Sequence, residues 1–202
     1  MNLPRTFCLT LPETPERTQA AFRHLSEAGL NFEFFFGIHA ERFGLKTIFP
    51  YEVDHPGSGF NMGFKPTGIW LSHFMLWTTL LYLPEDRFLI LEVDAKFPEG
   101  WQDKVSKALA DVPHDYDILY LGSCCCLGRP QRQIKNSIWE VRWPACTHSY
   151  IVTKKALTTL LATQRKVYAP IDLSMIFHSL PMMKVYTVLP RIIEQFDTEL
   201  PP

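Results

Sequence analysis

Two carboxylates directly follow a strongly apolar segment near the middle of the chain. Residues 88–97 read FLILEVDAKF, so that only Val93 separates Glu92 from Asp94. Such a run predicts a fully buried strand, and in α/β sheets ligands collect beyond the carboxyl ends of the strands. Two carboxylates with this spacing suit a hard divalent cation that also holds a phosphate-bearing substrate. In the structural alternative, Asp94 caps a turn and Glu92 pairs with Lys96.

The elements that must position these acids alternate between strands and helices. Besides the strand that begins at residue 88, strands are predicted at residues 5–11, 31–36, 116–121, 138–143, 147–152 and 184–189. Helices are predicted at residues 15–28, 66–83, 98–112, 154–163 and 170–179, the first of them capped by Thr14. Residues 37–65 and 122–137 have no periodicity and are predicted to be irregular. This order predicts a single α/β domain over residues 1–202, with a largely parallel sheet and an antiparallel departure late in the chain.

The composition indicates a globular protein and argues against several classes of partner. Hydrophobic residues make up 47% of the 202 residues, which is enough for a sizeable core. Lys and Arg total 20 against 21 Asp and Glu, so the formal net charge is −1. This balance gives no electrostatic basis for binding nucleic acid or a membrane surface.

The cysteines and the longest apolar stretch indicate in which cellular compartment the protein is expected and whether it spans a membrane. The cysteines are Cys8, Cys146 and a run at residues 124–126, a pattern that matches neither a disulfide framework nor a zinc site. It predicts reduced thiols in a cytoplasmic protein, and the N-terminal residues lack the apolar core of a signal peptide. Residues 68–83 carry no charge, but they are shorter than the roughly 20 residues that a bilayer requires and they include His73. We therefore expect a buried helix there and no transmembrane segment.

Several short motifs, in one shared order, resemble those of a known enzyme family. The stretch ILEVDA is similar to the strand-then-acids motif with which GT-A glycosyltransferases bind a divalent metal, with Val93 in place of a middle acid. The other motifs resemble those of glycosyltransferase family 25, the lipopolysaccharide-biosynthesis and collagen galactosyltransferase group. They are Arg17 in LTLPETPER, Gly68, Ser72, His73 and Trp77 in GIWLSHFMLW, DILYLG at 117–122, THSY at 147–150, PID at 170–172, and Pro190 with Gln195.

The resemblance implies a fold and a reaction. The fold would be of the GT-A type, an α/β nucleotide-diphospho-sugar transferase fold with a mostly parallel central sheet flanked by helices. The reaction would move a hexose from a nucleotide-diphosphate sugar, expected to be a UDP-sugar, to a hydroxyl of a glycan or another acceptor. It would proceed with inversion and with a divalent metal, Mn²⁺. The implied setting is the biosynthesis of lipopolysaccharide or another glycan.

The resemblance also implies roles for individual residues. Asp94 would bind the metal directly, and Glu92 would bind the donor's ribose or reach the metal through water. Asp172 is expected to be the general base, although a helix cap is its structural alternative. The residues expected to bind the donor are Arg17, Ser72, His73, Glu92, Thr147, His148 and Tyr150.

Four of these residues have structural alternatives as well. Arg17 lies among acidic residues at the start of a predicted helix and would then be a surface arginine. A lone histidine on an apolar helix, such as His73, is more often a satisfied core residue than a ligand. His148 and Tyr150 share one face of a predicted strand, where they would line the donor pocket or pack across strands. His148 is also a candidate to complete the metal shell.

Two other functions remain open on the sequence. A nucleotide-sugar-binding protein of the same fold, without transfer activity, would account for Val93 at the place of the middle acid. A nucleotidyltransferase would use a related sheet and a similar acid pair. Such enzymes usually carry a glycine-rich loop after the first strand, however, and LTLPETPER contains no glycine.

Overall fold

The computed structural model describes residues 3–45, 63–126, 132–167 and 169–196, without the side chains of residues 124–126. The strands are β1 (Arg5–Thr10), β2 (Glu33–Phe36), β3 (Arg87–Glu92), β4 (Ala95–Lys96), β5 (Ile118–Cys126), β6 (Arg132–Lys135), β7 (Ile138–Glu140), β8 (Pro144–Thr153), β9 (Val185–Val188) and β10 (Glu194–Gln195). The helices are α1 (Pro15–Glu27), α2 (Phe64–Leu81), α3 (Trp101–Asp111), α4 (Lys154–Thr163) and α5 (Ile171–His178), with 3₁₀ turns at Ala40–Phe43 and Leu180–Met182. Much of the predicted irregular segments, namely residues 46–62 and 127–131, lies outside the described residues.

Eight of the described strands form one sheet in the order β2-β1-β3-β8-β5-β9-β7-β6. Strand β1 pairs in parallel with β2 and β3, and β5 pairs in parallel with β9. Strand β8 runs antiparallel between β3 and β5, β6 and β7 form an antiparallel edge, and β4 pairs with β10 separately. The predicted α/β class is confirmed, and β7 and β8 are the antiparallel departure late in the chain. The insertion of β8, with Ser149 opposite Leu91, brings residues 147–150 beside the end of β3.

Strand β3 lies inside the sheet and has helices on both faces. Phe88 and Ile90 are fully buried in the core under α2, α4 and α5, whereas Leu89 and Leu91 are fully buried in the core under α1 and α3. Residues 88–91 of this strand therefore meet apolar neighbours, whichever way their side chains point. This is the physical reason for the uninterrupted FLIL run, and it leaves Glu92 as the first polar residue at the edge of the sheet.

The uncharged segment at residues 68–83 forms most of helix α2, as predicted. This helix buries side chains on more than one face, among them Trp70, Leu76 and Trp77. Packing on several sides explains why so few of its residues are charged. None of the helices within the described ranges has the length and apolar character needed to cross a membrane.

Helix α1 follows the predicted pattern except at its cap. It runs from Pro15 to Glu27 and buries Ala21 and Leu25 against the sheet. Thr14 holds the N-cap position, but its side chain accepts no hydrogen bond from the helix. Its hydroxyl instead donates to the carbonyl of Leu11 at 3.2 Å. The prediction that the Thr14 side chain caps α1 is therefore wrong, because the turn after β1 takes the hydroxyl.

The segment predicted to be irregular after residue 121 is partly sheet. Strand β5 continues to Cys126 because β8 runs beside it, with the backbone of Cys124 opposite Ala145 and that of Cys126 opposite Pro144. Strand β6 then pairs with β7. The partner of β5 is about 20 residues away in the sequence, so the local pattern of residues 122–126 did not reveal this pairing.

Cys146 corrects the prediction of reduced thiols. It is disulfide-bonded and has a left-handed backbone φ of 70°, whereas Cys8 is free and fully buried. Burial, together with the negative charges of Glu92 and Asp94, raises the pKa of the Cys8 thiol, so Cys8 has the character of an inert structural cysteine. The disulfide removes the cysteine argument for a cytoplasmic protein, because such bonds persist in oxidising compartments.

His24 connects helix α1 to the segment that follows the acid pair. The backbone N–H of Phe97 donates to Nε2 of His24 at 3.3 Å, and the Phe196 ring meets the imidazole edge-on at 5.1 Å. Burial lowers the pKa of His24 and outweighs the opposing effect of Glu27, while Lys96 adds to the lowering. The folded protein therefore favours the neutral imidazole at this contact.

Candidate functional site

A cavity of about 470 Å³ opens beyond the carboxyl ends of β1 and β3. Its wall is formed by the end of β1, the first turn of α1, residues 38–41, the N-terminal half of α2, residues 92–94 and Gln195. Parallel strands bring their carboxyl ends to one edge of a sheet, and α/β folds hold their ligands there. The predicted site residues that line the cavity are Arg17, Ser72, His73, Glu92 and Asp94.

Glu92 is held by hydrogen-bond partners from two other elements. Thr147 of β8 donates its hydroxyl to Oε1 at 2.6 Å, and Nε2 of His73 lies 3.3 Å from the same oxygen. Burial by itself would raise the pKa of Glu92, but the contacts with His73 and Thr147 outweigh it and the pKa is lowered. Glu92 is therefore ionised near neutral pH. Glu92 thus contacts His73 and Thr147 instead of Lys96, the partner in the structural alternative. The ammonium of Lys96 lies 5.7 Å from the centroid of the Phe196 ring.

Asp94 has one satisfied and one unsatisfied carboxylate oxygen. Gln195 donates to Oδ2 at 2.8 Å, while Oδ1 is buried and has no hydrogen-bond partner among the described residues. Burial raises the pKa of Asp94, and the charge of Glu92 adds to that effect. A buried carboxylate oxygen without a donor is costly, and a cation would relieve that cost. The oxygen-only character of this acid pair fits Mn²⁺ or Mg²⁺.

A cation beside Asp94 would need ligands from outside the protein. Within the described part of the chain, no group of three or more His, Cys, Asp or Glu side chains is arranged to hold a metal ion. Small divalent cations commonly take one or two carboxylates together with substrate phosphates and water. Asp94, with Glu92 nearby, therefore fits a metal that is shared with a phosphate-bearing ligand rather than one enclosed by protein side chains.

Three residues predicted to bind the donor lie behind the cavity wall. Thr147, His148 and Tyr150 of β8 are each at most 5% exposed, and the residues that line the cavity do not include them. Thr147 contacts Glu92, and Nε2 of His148 lies 3.3 Å from the carbonyl oxygen of Ile193. These three residues therefore do not line this cavity among the described residues, and their role in donor binding stays a prediction. The reason is that β8 is an inner strand covered on both faces, so its side chains reach the site only through other side chains.

Helix α2 contributes a buried histidine to the site. Nδ1 of His73 lies 3.0 Å from the hydroxyl of Tyr150, and Trp77 donates to that same hydroxyl at 2.8 Å. The side chain of His73 is fully buried, and it also borders the cavity beside Glu92. In position, His73 is therefore both a satisfied core residue and part of the cavity wall.

Ser72 and two glycines shape one wall of the cavity. The Ser72 hydroxyl donates to the carbonyl of Gly68 at 2.6 Å and accepts from the N–H of Ile38 at 2.9 Å. A Cβ at Gly68 would lie 2.6 Å from the carbonyl oxygen of Ile38, and a Cβ at Gly37 would lie 2.2 Å from Oγ of Ser72. These positions therefore allow the chain after β2 to lie directly against α2.

Arg17 and three residues that the sequence did not indicate complete the lining. Arg17 is exposed in the first turn of α1, where its guanidinium and the helix N-terminal amides favour an anion. His39, Glu41 and Lys65 also line the cavity, and Nδ1 of His39 is buried with no partner among the described residues. These three fall in the segment predicted to be irregular. The sequence could have indicated them only through the position of their segment, which follows β2 at the edge of the sheet where α/β folds bind ligands.

Asp172, the predicted general base, lies in the first turn of α5 and outside the cavity lining. Its Oδ1 accepts from the N–H of Leu173 at 2.9 Å, and its Oδ2 accepts from the N–H of Cys146 at 2.9 Å. The carboxylate thereby joins the start of α5 to β8 one residue before Thr147. Asp172 is not the cap of α5, because Pro170 holds the N-cap position and no side chain caps the helix. Its role as base stays a prediction.

The fold and the position of the site define the class of protein. A glycosyltransferase involved in the glycosylation of the major capsid of PBCV-1 aligns with a TM-score of 0.51 at 12% identity, over 93% of this chain and 82% of its own. The inositol-1-phosphate CTP transferase from T. maritima aligns with a TM-score of 0.50 at 11% identity, over 92% of this chain and 85% of its own. The fold that they share with this chain is the α/β fold of the GT-A type, which occurs in glycosyl and nucleotidyl transferases alike.

The sequence places the chain within this class. The family model described as Glycosyltransferase family 25 (LPS biosynthesis protein) matches residues 4–175, and the chain belongs to this family. A glycosyltransferase 25 family member of Aedes aegypti is 25% identical over 132 residues, covering 60% of this chain and 21% of the relative. Another of Anopheles gambiae is 22% identical over 174 residues, covering 81% of this chain and 29% of the relative. The resemblance seen in the short motifs is thus confirmed, and the chain spans less than a third of the length of these relatives.

Proposed function

We propose that this chain is a glycosyltransferase that moves a hexose from a UDP-sugar to an acceptor hydroxyl, with inversion and with Mn²⁺. The observation that carries the proposal is the buried Oδ1 of Asp94, which has no partner among the described residues, beside the ionised Glu92 at the wall of a cavity of about 470 Å³. Cavities of this size commonly hold ligands as large as a nucleotide. Membership in family 25 supports glycosyl transfer, and the absence of glycine in LTLPETPER argues against nucleotidyl transfer.

The residues that line the cavity would each contact a different part of the donor. Asp94 would hold the metal through Oδ1, and Glu92 would accept a hydrogen bond from a ribose hydroxyl or reach the metal through water. When bound, the metal neutralises negative charge on the departing diphosphate. Arg17 and the N-terminal amides of α1 would attract phosphate on the α1 side of the cavity.

We propose that Asp172 is the general base, which removes the proton from the acceptor hydroxyl. Its carboxylate retains lone pairs beyond those used by its two backbone contacts, and it is tied to the β8 segment from which Thr147 reaches Glu92. An acceptor hydroxyl that loses its proton to Asp172 would attack the anomeric carbon opposite the leaving nucleoside diphosphate, which inverts the configuration. The family description supports a glycan such as lipopolysaccharide as the class of acceptor.

Isothermal titration calorimetry with UDP, in the presence and absence of MnCl₂, tests the donor site. We expect manganese-dependent binding by the wild type and its loss in Asp94→Asn. Asp86→Asn, which removes the same charge from an exposed position, is the matched control and should bind like the wild type. Titrations with GDP and CDP measure the preference for the base. Failure of every nucleoside diphosphate to bind the wild type, or undiminished binding by Asp94→Asn, would contradict the proposed donor site.

A nucleotide-sugar-binding protein without transfer activity is the second candidate. It is favoured by Val93, which stands where an acid would add a third carboxylate to the segment. The two candidates differ in turnover, so the deciding measurement is release of UDP from UDP-hexoses with and without glycan acceptors. Release that depends on an acceptor supports the transferase, whereas manganese-dependent binding without any release favours the binding protein.

A further inference from the structure

A continuous line of hydrogen bonds runs from the hydrophobic core to the candidate site. Nε1 of Trp77 donates to the hydroxyl of Tyr150 at 2.8 Å, and that hydroxyl lies 3.0 Å from Nδ1 of His73. Nε2 of His73 lies 3.3 Å from Oε1 of Glu92, and the hydroxyl of Thr147 donates to the same oxygen at 2.6 Å. Trp77, Tyr150 and His73 are each 0% exposed, so bulk water does not replace any of these partners.

The donors and acceptors along this line admit one arrangement of protons that satisfies all of them. The indole of Trp77 can only donate, and Oε1 of Glu92, which already accepts from the Thr147 hydroxyl, faces His73 as an acceptor. His73 must therefore donate from Nε2, and a neutral imidazole then accepts at Nδ1. The single proton of the Tyr150 hydroxyl goes to that Nδ1, while its oxygen accepts from Trp77. A doubly protonated imidazole would leave the Tyr150 proton buried without an acceptor.

We infer that Tyr150 is a positioning residue whose hydroxyl, held by Trp77, donates to Nδ1 of His73, holds the imidazole with Nε2–H toward Glu92 and thereby fixes the orientation of the Glu92 carboxylate at the cavity. Two donors from different elements, His73 and Thr147, meet at Oε1, so the carboxylate cannot rotate without breaking both contacts. Within the described residues Oε2 has no such partner, which leaves it to a ligand.

The two acids of the site would then have separate tasks. Glu92 is a rigid acceptor whose direction is set from the core, whereas Asp94 keeps an unpartnered oxygen for a cation. A rigid acceptor is suited to a fixed ligand group such as a ribose hydroxyl, because no side-chain freedom has to be lost on binding. This consequence for binding rests on the proposed donor site, but the tautomer of His73 does not.

The tautomer can be measured without any ligand. Nitrogen-15 NMR of the imidazoles distinguishes protonated from unprotonated ring nitrogens, and the His73 signals are assigned with the variant His73→Gln. We expect a protonated Nε2 and an unprotonated Nδ1 in the wild type. In Tyr150→Phe, Nε2 should stay protonated because it faces Glu92, and the Nδ1 signal should shift because that nitrogen has lost its hydrogen-bond donor. A protonated Nδ1 in the wild type, or an unchanged imidazole in Tyr150→Phe, would overturn the inference. The wild-type spectrum is decisive even if Tyr150→Phe does not fold.

Tyr120→Phe is the matched control. Tyr120 is fully buried, its ring centroid lies 5.9 Å from that of Tyr150, and its hydroxyl has no hydrogen-bond partner among the described residues. The same atom is therefore removed from the same core without breaking the line of hydrogen bonds. The His73 imidazole signals should be unchanged in Tyr120→Phe, and a shift of the Nδ1 signal equal to that in Tyr150→Phe would assign the effect to general loosening of the core.

Binding of UDP with MnCl₂ tests the consequence for the site. We expect the Kd to rise roughly tenfold in Tyr150→Phe and to stay within about twofold in Tyr120→Phe, because residues that orient a contacting group commonly contribute ten- to a hundredfold to affinity. Equal affinities of the wild type and Tyr150→Phe would overturn the positioning role. If the wild type binds no nucleoside diphosphate, the proposed donor site fails, and the NMR result still decides the tautomer.

Discussion

Asparagine in place of Asp94 should make the metal-free protein more stable while abolishing its response to manganese and UDP. Oδ1 of Asp94 is buried and has no hydrogen-bond partner in the described part of the chain, and the ionised Glu92 lies two residues before it. At a separation of about 7 Å and an effective dielectric constant of about 20, two such charges repel by about 2 kcal/mol. Asparagine removes this repulsion and can still accept the hydrogen bond from Gln195. We therefore expect the free energy of unfolding in EDTA to rise by about 1–2 kcal/mol, a Tm increase of about 2–8 °C.

Ligand should reverse this order of stabilities. UDP with MnCl₂ at a hundredfold excess over Kd would stabilise the wild type by about 2.7 kcal/mol and the variant by nothing. Thermal and urea unfolding at pH 7.5, with EDTA and with MnCl₂ plus UDP, measure both effects. Asp86→Asn is the control for removal of one negative charge. An Asp94→Asn protein that is less stable than the wild type in EDTA would refute the repulsion argument, and one that responds to MnCl₂ and UDP like the wild type would refute the metal assignment.

Three further variants test the cavity wall, the base and a buried histidine. Gly68→Ala should destabilise the protein by about 1–3 kcal/mol in urea unfolding, because a Cβ 2.6 Å from the carbonyl oxygen of Ile38 outweighs the gain in helix propensity of about 1 kcal/mol. Gly63→Ala, with open space around its Cβ, is the control, and equal stabilities of the two would contradict the clash. Asp172→Asn should lower kcat at least roughly 100-fold and leave UDP affinity unchanged, and an unaltered kcat would remove Asp172 as the base. The pKa of His24 is lowered by burial, so its contribution to stability is present above about pH 6.5 and is lost as the pH falls. His24→Gln should therefore lose less unfolding free energy than the wild type between pH 7 and pH 5. Equal losses in the two proteins would show that His24 is not the source of this pH dependence.

Local sequence patterns were sufficient for the elements that face apolar neighbours on both sides. The FLIL run of β3 and the uncharged stretch of α2 were correctly interpreted as buried, because burial on every side demands an apolar residue at every position. The acid pair was found for the same reason, since Glu92 is the first polar residue after such a strand. The order of several short motifs was enough to indicate family 25, which the family match confirms.

Features that depend on residues far apart in the sequence could not be predicted. The antiparallel β8 between β3 and β5 joins Thr147 to Glu92 across 55 residues, and Tyr150 to His73 across 77 residues. No local pattern indicates which strand will lie beside which, so the sequence did not show that Thr147 and Tyr150 contact Glu92 and His73 instead of lining the cavity. The disulfide of Cys146 was missed on the same grounds.

The sequence by itself determined which side chains could do chemistry at the candidate site, since carboxylates, a histidine and an arginine are recognisable in any context. Only the tertiary structure decided how they are used. It buries one oxygen of Asp94 with no partner among the residues that are described, and it directs two donors at Glu92. The free energy of a charged group depends on the atoms that surround it, and those atoms come from strands and helices that meet only in the folded chain.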